Sequence, residues 1–136
     1  MTDLKLIGYS AEHFETSLTV DDDEIDKNVR FHIHLFGRTQ ALDDHTKGIL
    51  RVEIKIEGNK GNDIVFAALN CAFNLLFETD SEVDSEQMNA LLRSVGIESA
   101  IPLIRGIVVG ATNMLGLPGF FNFPSIDTSQ IEWNAQ

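Results

Sequence analysis

Hydrophobic and polar residues alternate along the first half of this 136-residue chain and follow a helical period further on. The first alternating stretch covers Leu4 to Tyr9 and resumes from Phe14 to Val20, with Ser10 to His13 as a bulge or bend. In its second half Phe14, Thr16, Leu18 and Val20 share one face, and Glu15, Ser17 and Thr19 the other. A second strand, Val29 to Arg38, sets Val29, Phe31, Ile33 and Leu35 against Arg30, His32 and His34. The plainest strand runs from Gly48 to Gly58. Leu50, Val52, Ile54 and Ile56 point one way there, and Arg51, Glu53, Lys55 and Glu57 the other. That is the pattern of an antiparallel strand with one dry and one wet face. Ile64 to Phe77 is apolar on both faces toward its start, which predicts cover on both sides. Between these strands, Asp21 to Asp26, Thr39 to Thr46 and Gly58 to Asp63 read as turns.

The period then changes. Asp84 with Gln87 three residues on predicts a capping box, and Met88, Leu91, Leu92 and Val95 follow as an apolar stripe that Gly96 ends. A second helix is expected from about Ser99 to Leu115, with Pro102 tolerated in its first turn. Its stripe is Ile101, Ile104, Val108, Ala111 and Leu115. On another face Gly106 and Gly110 stand four apart and leave a groove for close approach. Interior helix glycines each cost about 1 kcal/mol against alanine, which points to a packing reason. Gly116-Leu117-Pro118-Gly119 stops this helix, and Asp127 is placed to cap a last turn ending near Trp133. The expected fold is a single α+β domain over residues 1–136, a four-stranded antiparallel meander followed by two helices packed on one face.

Composition narrows the function classes. The net charge of -11 repels phosphate backbones and anionic lipid surfaces, so nucleic acid and membrane are not expected partners, whereas basic segments of other proteins are. The most apolar window, Ile101 to Leu117, is interrupted by Pro102, Arg105 and Asn113 and is short for a bilayer. Met-Thr-Asp-Leu-Lys-Leu-Ile does not read as a secretory signal, and the single cysteine, Cys71, fits a reducing compartment. A cytoplasmic protein is the expectation.

Catalytic motifs are missing: there is no G-x-S-x-G, H-E-x-x-H, P-loop, C-x-x-C or dinucleotide fingerprint. An enzyme is therefore not expected, and neither is a cofactor. The acidic run Asp21 to Asp26 lacks the glycine and distant glutamate of a calcium loop and reads as a solvated turn. His32 and His34 place two imidazoles on one strand face, but a third ligand of suitable spacing is not apparent, so no metal site is expected. Cys71 falls among apolar positions and reads as a buried, inert thiol. The unusual segment is Leu117 to Pro124, where Phe120, Phe121 and Phe123 crowd beside Leu117. Leaving four such side chains in water forfeits about 1.5–3 kcal/mol each. They must be packed, covered by another subunit, or held for an apolar ligand.

Taken in order, these residues resemble the SecB family of protein-export chaperones, from about Leu6 to Asp127. The resemblance is carried by Ile7-x-Tyr9 with Phe14 five residues on, by Val29-x-Phe31-x-Ile33, and by Ala41-Leu42-Asp43-Asp44 leading into Leu50-Arg51-Val52-x-Ile54. Gln87-Met88 opens the helical part. Ile101-Pro102-x-x-Arg105, then Gly116-Leu117-Pro118 and a Phe/Pro-rich segment closing on Ile126-Asp127, complete the series. The resemblance implies a homotetramer built as a dimer of dimers with helices in the interface. It also implies an ATP-independent holdase for unfolded chains, with delivery of preproteins to the SecA motor. On that basis Phe31, Ile33, Leu117, Phe120, Phe121 and Phe123 are the expected polypeptide-binding residues. Met88, Leu91, Leu92, Val95, Gly106 and Gly110 are the expected oligomer contacts. The chain departs from the family in a short acidic connection, Asp21 to Asn28, in small apolar residues near Ala67 and Ala68 where an acidic docking position is expected, and in a nearly absent tail after Trp133. Chaperoning is therefore better supported than export.

Two other readings stand beside this one. The same fold can serve one dedicated client, such as the antitoxin of a toxin–antitoxin pair. Alternatively, the crevice between sheet and helices is a small-molecule pocket, with His32 and His34 as its polar groups.

Overall fold

A computed structural model describes residues 3–18, 29–60, 64–114 and 128–133. The acidic run Asp21 to Asp26, part of the predicted loop before Ile64, Leu115, the segment Leu117 to Pro124 and Asp127 lie outside the described residues. Strands β1 (Leu4–Leu18), β2 (Val29–Ala41), β3 (Lys47–Lys60) and β4 (Ile64–Thr79) are followed by helices α1 (Ser85–Leu91) and α2 (Ile97–Met114). A short turn of 3₁₀ helix, Thr128–Gln130, leads into a final strand β5 (Glu132–Trp133). The α+β class is as expected, but among the described residues the sheet has five strands in the order β1-β4-β3-β2-β5. Only β2, β3 and β4 follow one another as a meander. β1 crosses to the far side of β4, and β5 adds a parallel pairing to β2.

The predicted bend at Ser10 to His13 is a β-bulge inside one continuous strand, and a second bulge lies between Leu6 and Gly8. An inserted residue bends a strand without ending it, so β1 keeps pace with β4 from Leu4↔Thr79 to Leu18↔Ala67. The turns on either side of β3 are shorter than expected, since Gly58 to Lys60 continue β3 and Thr39 to Ala41 continue β2, which leaves Leu42 to Thr46 as the β2–β3 turn. Asp44 accepts hydrogen bonds from the Thr46 hydroxyl (2.8 Å) and the Thr46 backbone N–H (3.3 Å). These bonds hold the Asp44 carboxyl below its ordinary range. The same turn receives the chain that leaves β4, because Thr79 N–H donates to the Thr46 carbonyl and Val83 N–H to that of His45.

Helix α1 begins with the expected capping box. Asp84 accepts from the Gln87 N–H at 2.7 Å while the Gln87 side chain accepts from the Asp84 N–H at 3.2 Å. The expected break at Gly96 does not occur. Leu92–Gly96 form a π-helical turn that joins α1 to α2 in one helical run. The spacing of the buried residues explains it. Met88, Leu92, Gly96, Ile97, Ala100, Ile101, Ile104 and Val108 are all buried, and their row of fours from Met88 to Val108 is one that an unbroken 3.6-residue period would carry off the core on one side or the other of the Leu92–Gly96 interval. One extra residue in the turn keeps both sides of that interval on the core. By length and composition the stretch 85–111 is also long and apolar enough to cross a membrane, yet its inward face is core.

The core lies between this helix and one face of the sheet. Leu50, Val52, Ile54 and Ile56 of β3 and Leu69, Cys71, Phe73, Leu75 and Phe77 of β4 are at most 3% exposed. Gly48 lets the helix come close: a Cβ there would stand 2.8 Å from Met88 and 2.9 Å from Leu92. On the opposite face of β4 only Ala72 is fully buried among the described side chains.

Candidate polypeptide-binding surface

Ile33 stands on the core-facing side of β2, half-buried and packed against the core cluster. Phe31 precedes it by two on the same strand, its backbone paired with Gly58 as Ile33 pairs with Ile56. Residues paired across an antiparallel ladder share a face, which puts Ile33 with Ile56 on the dry side of the sheet. Leu117, Phe120, Phe121 and Phe123 lie outside the described residues.

At this end β2 is a strand near the sheet's border. β3 accompanies it over all thirteen residues, whereas β5 meets it only at Phe36↔Glu132 and Gly37↔Trp133. Beside that short pairing lies a hollow of about 160 Å³ lined by Ile33, His34, Leu35, Gln130 and Glu132. The Trp133 ring packs against Gly37 of β2. A Cβ on Gly37 would fall 2.5 Å and 2.7 Å from its ring carbons Cζ3 and Cε3. The Arg93 guanidinium, from the π-helical turn, sits 5.4 Å from the centre of the Trp133 ring. Sequence reading missed this arrangement. Its only signal was an isolated glycine in a strand pattern, which commonly marks a close approach.

The residues expected at an oligomer contact divide between two sides of the helix. Met88 (1% exposed) and Leu92 (0%) are packed within the chain's own core. Leu91 is half-buried, Val95 is 44% exposed, and Gly106 and Gly110 face open space with no neighbour where a Cβ would be. Ser99, Pro102, Gly106 and Gly110 follow each other at intervals of three and four and are all exposed. They form a smooth outward strip, with Leu103 and Ile107 half-buried near it.

The face of the sheet turned away from the helix is polar. His32 and His34 are exposed on it and register opposite Glu57 and Lys55. No group of three or more metal-ligating side chains exists among the described residues. Glu12, in the bulge between Ala11 and His13 of β1, reaches across β4 to Arg51 of β3 at 2.7 Å, and His13 meets Asn70 at 3.2 Å. Hollows of about 320 Å³, bordered by Glu15, Lys55, Glu57 and Ala68, and about 300 Å³, bordered by Gly8, Tyr9, Ile49 and Leu76, lie along β4. Ala68 stands in register between Glu57 and Ser17. Cys71 belongs to the other face. Burial, reinforced by the Glu53 charge, pushes its thiol up to about 12, which removes it as a nucleophile near neutral pH.

No family model and no curated protein matches the sequence. Among solved structures the chain is similar to the SecB-like chaperone Rv1957 of Mycobacterium tuberculosis, in complex with a ChAD peptide from the Rv1956 HigA1 antitoxin. The two are 13% identical, the match covers 91% of each chain, and the TM-score is 0.70. The fold is SecB-like.

Proposed function

We propose that this chain is a chaperone that holds unfolded or partly folded polypeptides without ATP. The observation that carries the proposal is the likeness over nine-tenths of each chain to a SecB-like chaperone bound to a peptide from another protein. The surface of this chain supports it. Ile33 borders the core and also a hollow, polar in most of its lining, at the thinly paired side of β2, where an extended segment can find backbone hydrogen bonds. Phe31 stands two residues before Ile33 on the same strand, and Leu117, Phe120, Phe121 and Phe123 are proposed to extend the surface. The charge of -11 favours clients with basic segments.

Assembly into a homotetramer belongs to the same proposal. The outward helix strip around Val95, Gly106 and Gly110, and the exposed Ile7 (42%) and Tyr9 (55%) on edge strand β1, support contacts with further copies. A second reading, a chaperone for one dedicated client, is favoured by the antitoxin peptide held by the similar protein. A cytoplasmic location and delivery of clients to the SecA motor complete the proposal.

The test is light scattering from a chemically unfolded protein diluted with and without this chain, no ATP present, with in-line mass measurement. Suppression near stoichiometric ratio by a particle of about 60 kDa, four chains of 15.1 kDa, is the expected result. A tetramer that protects one cognate client and no general one would select the dedicated reading. A chain that neither protects nor binds any unfolded polypeptide would overturn both. SecA added to the client complex should bind it if export is the destination.

A further inference from the structure

The outer edge of β2 is occupied at one point by the chain's own C-terminal strand, in a way that has the features of a docked ligand. Trp133 fills a socket whose walls come from elsewhere: Gly37 of β2, which a Cβ would close, and Arg93 of the helical run, whose guanidinium stands 5.4 Å from the ring centre. Two residues along, Ile131 is buried and its Cγ2 lies 3.1 Å from the same Gly37 Cβ position. Glu132, between them, is exposed. Ile131-Glu132-Trp133 thus reads as an extended apolar-x-aromatic motif with alternate side chains inward. Its hold on the sheet is slight, a parallel pairing of two residues. From Ile33 to Leu35 the hollow of about 160 Å³ separates β2 from Gln130 and Glu132.

We propose that β5 is a displaceable strap: an extended client segment carrying an apolar-x-aromatic motif takes the β2 edge in its place and puts its aromatic side chain into the socket between Gly37 and Arg93. This rests on the polypeptide-binding reading and adds the chemistry that the client must present. Displacement exchanges like for like. The client's aromatic ring replaces the Trp133 ring against the Gly37 backbone and the Arg93 cation, and backbone pairing can then extend along Ile33 to Leu35. Basic residues beside the motif gain from the chain's charge of -11. While the strap is closed it reduces the apparent affinity for every client by the fraction of time that the socket is filled.

Trp133 is the chain's single tryptophan and reports on its own release. The probe is a short lysine-flanked peptide containing Ile-Thr-Phe and no tryptophan, end-labelled for anisotropy and unlabelled for fluorescence. Binding is expected to shift Trp133 emission to the red and raise its quenching by acrylamide, along the same curve as the anisotropy. A peptide with Ala for Phe should bind more weakly and leave the emission unchanged. Trp133→Ala should bind the Phe peptide about tenfold more tightly, as expected if the strap is closed some nine-tenths of the time. Gly37→Ala gives an independent arm should Trp133→Ala not fold. There the emission should be red-shifted before any peptide is added, and the Phe peptide should bind no better than its Ala counterpart. If the peptide binds while Trp133 emission and quenching stay unchanged, the strap is fixed structure; the inference falls and the chaperone reading stands. If no peptide binds and unfolded protein still aggregates, the chaperone reading falls and the inference with it.

Discussion

Cys71 shows how one position can be read from the chain and then given its chemistry by packing. The alternation of β4 places it among apolar residues, and the structure leaves it no exposure between Phe73 and Leu69 on the core side. Burial raises the thiol from the ordinary 9.0 to about 12. Between these values the unfolded chain has released the proton and the folded chain has kept it, so stability falls as pH rises. Below pH 9 this contribution is constant. The expected outcome is that a thiol reagent at pH 8 labels the protein only in denaturant. The urea midpoint should also drop between pH 9 and 11 by more in the parent chain than in Cys71→Ala. Rapid labelling of the native protein at pH 8 would contradict the burial. Gly37 and Gly48 were less legible. A glycine in a strand announces a close approach without naming the neighbour, and Trp133 and the Met88–Leu92 pair come from distant parts of the chain.

Among the elements, the helical run is the instructive one. A 3.6-residue period continued from Met88 and Leu92 puts Val95 on the core and makes Gly96 a terminator, and on that basis two helices were expected. The π-helical turn instead moves the register by one residue, so Val95 is 44% exposed and Ile97 is 2% exposed. Substitutions separate the two descriptions. Ile97→Ala should cost about 2–4 kcal/mol by urea denaturation, in the range of cavity-forming core changes. Val95→Ala, measured in the single chain at low concentration, should stay within about 0.5 kcal/mol. The reverse order would restore the break at Gly96. The strands were more legible because a period of two tolerates bulges. β1 passes two of them and still returns Phe14 opposite Cys71. β5, at two residues, carries no periodic signal.

At the scale of the molecule, the sheet has one face under the helix and one open, and the helix has one face on the sheet and one outward. The outward strip is where further copies are proposed to sit. In the single chain a side chain at Gly106 meets nothing, so Gly106→Ala should stabilise the helix by about 1 kcal/mol. In an assembly packed on this strip, the longer Gly106→Gln should be excluded. The expected outcome is a folded protein of lower mass by size exclusion with light scattering. Unchanged mass, with helix content preserved, would place the interface elsewhere. The SecB resemblance was legible over nearly the whole chain because it is an ordered series of strand and helix signals, and the likeness of folds extends over 91% of it. The proposed binding surface was legible only in part. Alternation placed Ile33 on the dry face of β2, where it packs against the core, while the socket of Gly37, Arg93 and Trp133 joins three regions that no local pattern connects.

The sequence by itself determined the α+β class, the faces of β2, β3 and β4, the capping box at Asp84 and the burial of Cys71. Each follows from local periodicity or from hydrogen bonds between near neighbours. Tertiary structure decided that β1 pairs with β4 instead of β2, that the helix continues through Gly96, and that β5 closes on β2. These are contacts between residues far apart in the chain. Their energies depend on which apolar surfaces meet, and a single strand or helix cannot encode its partner.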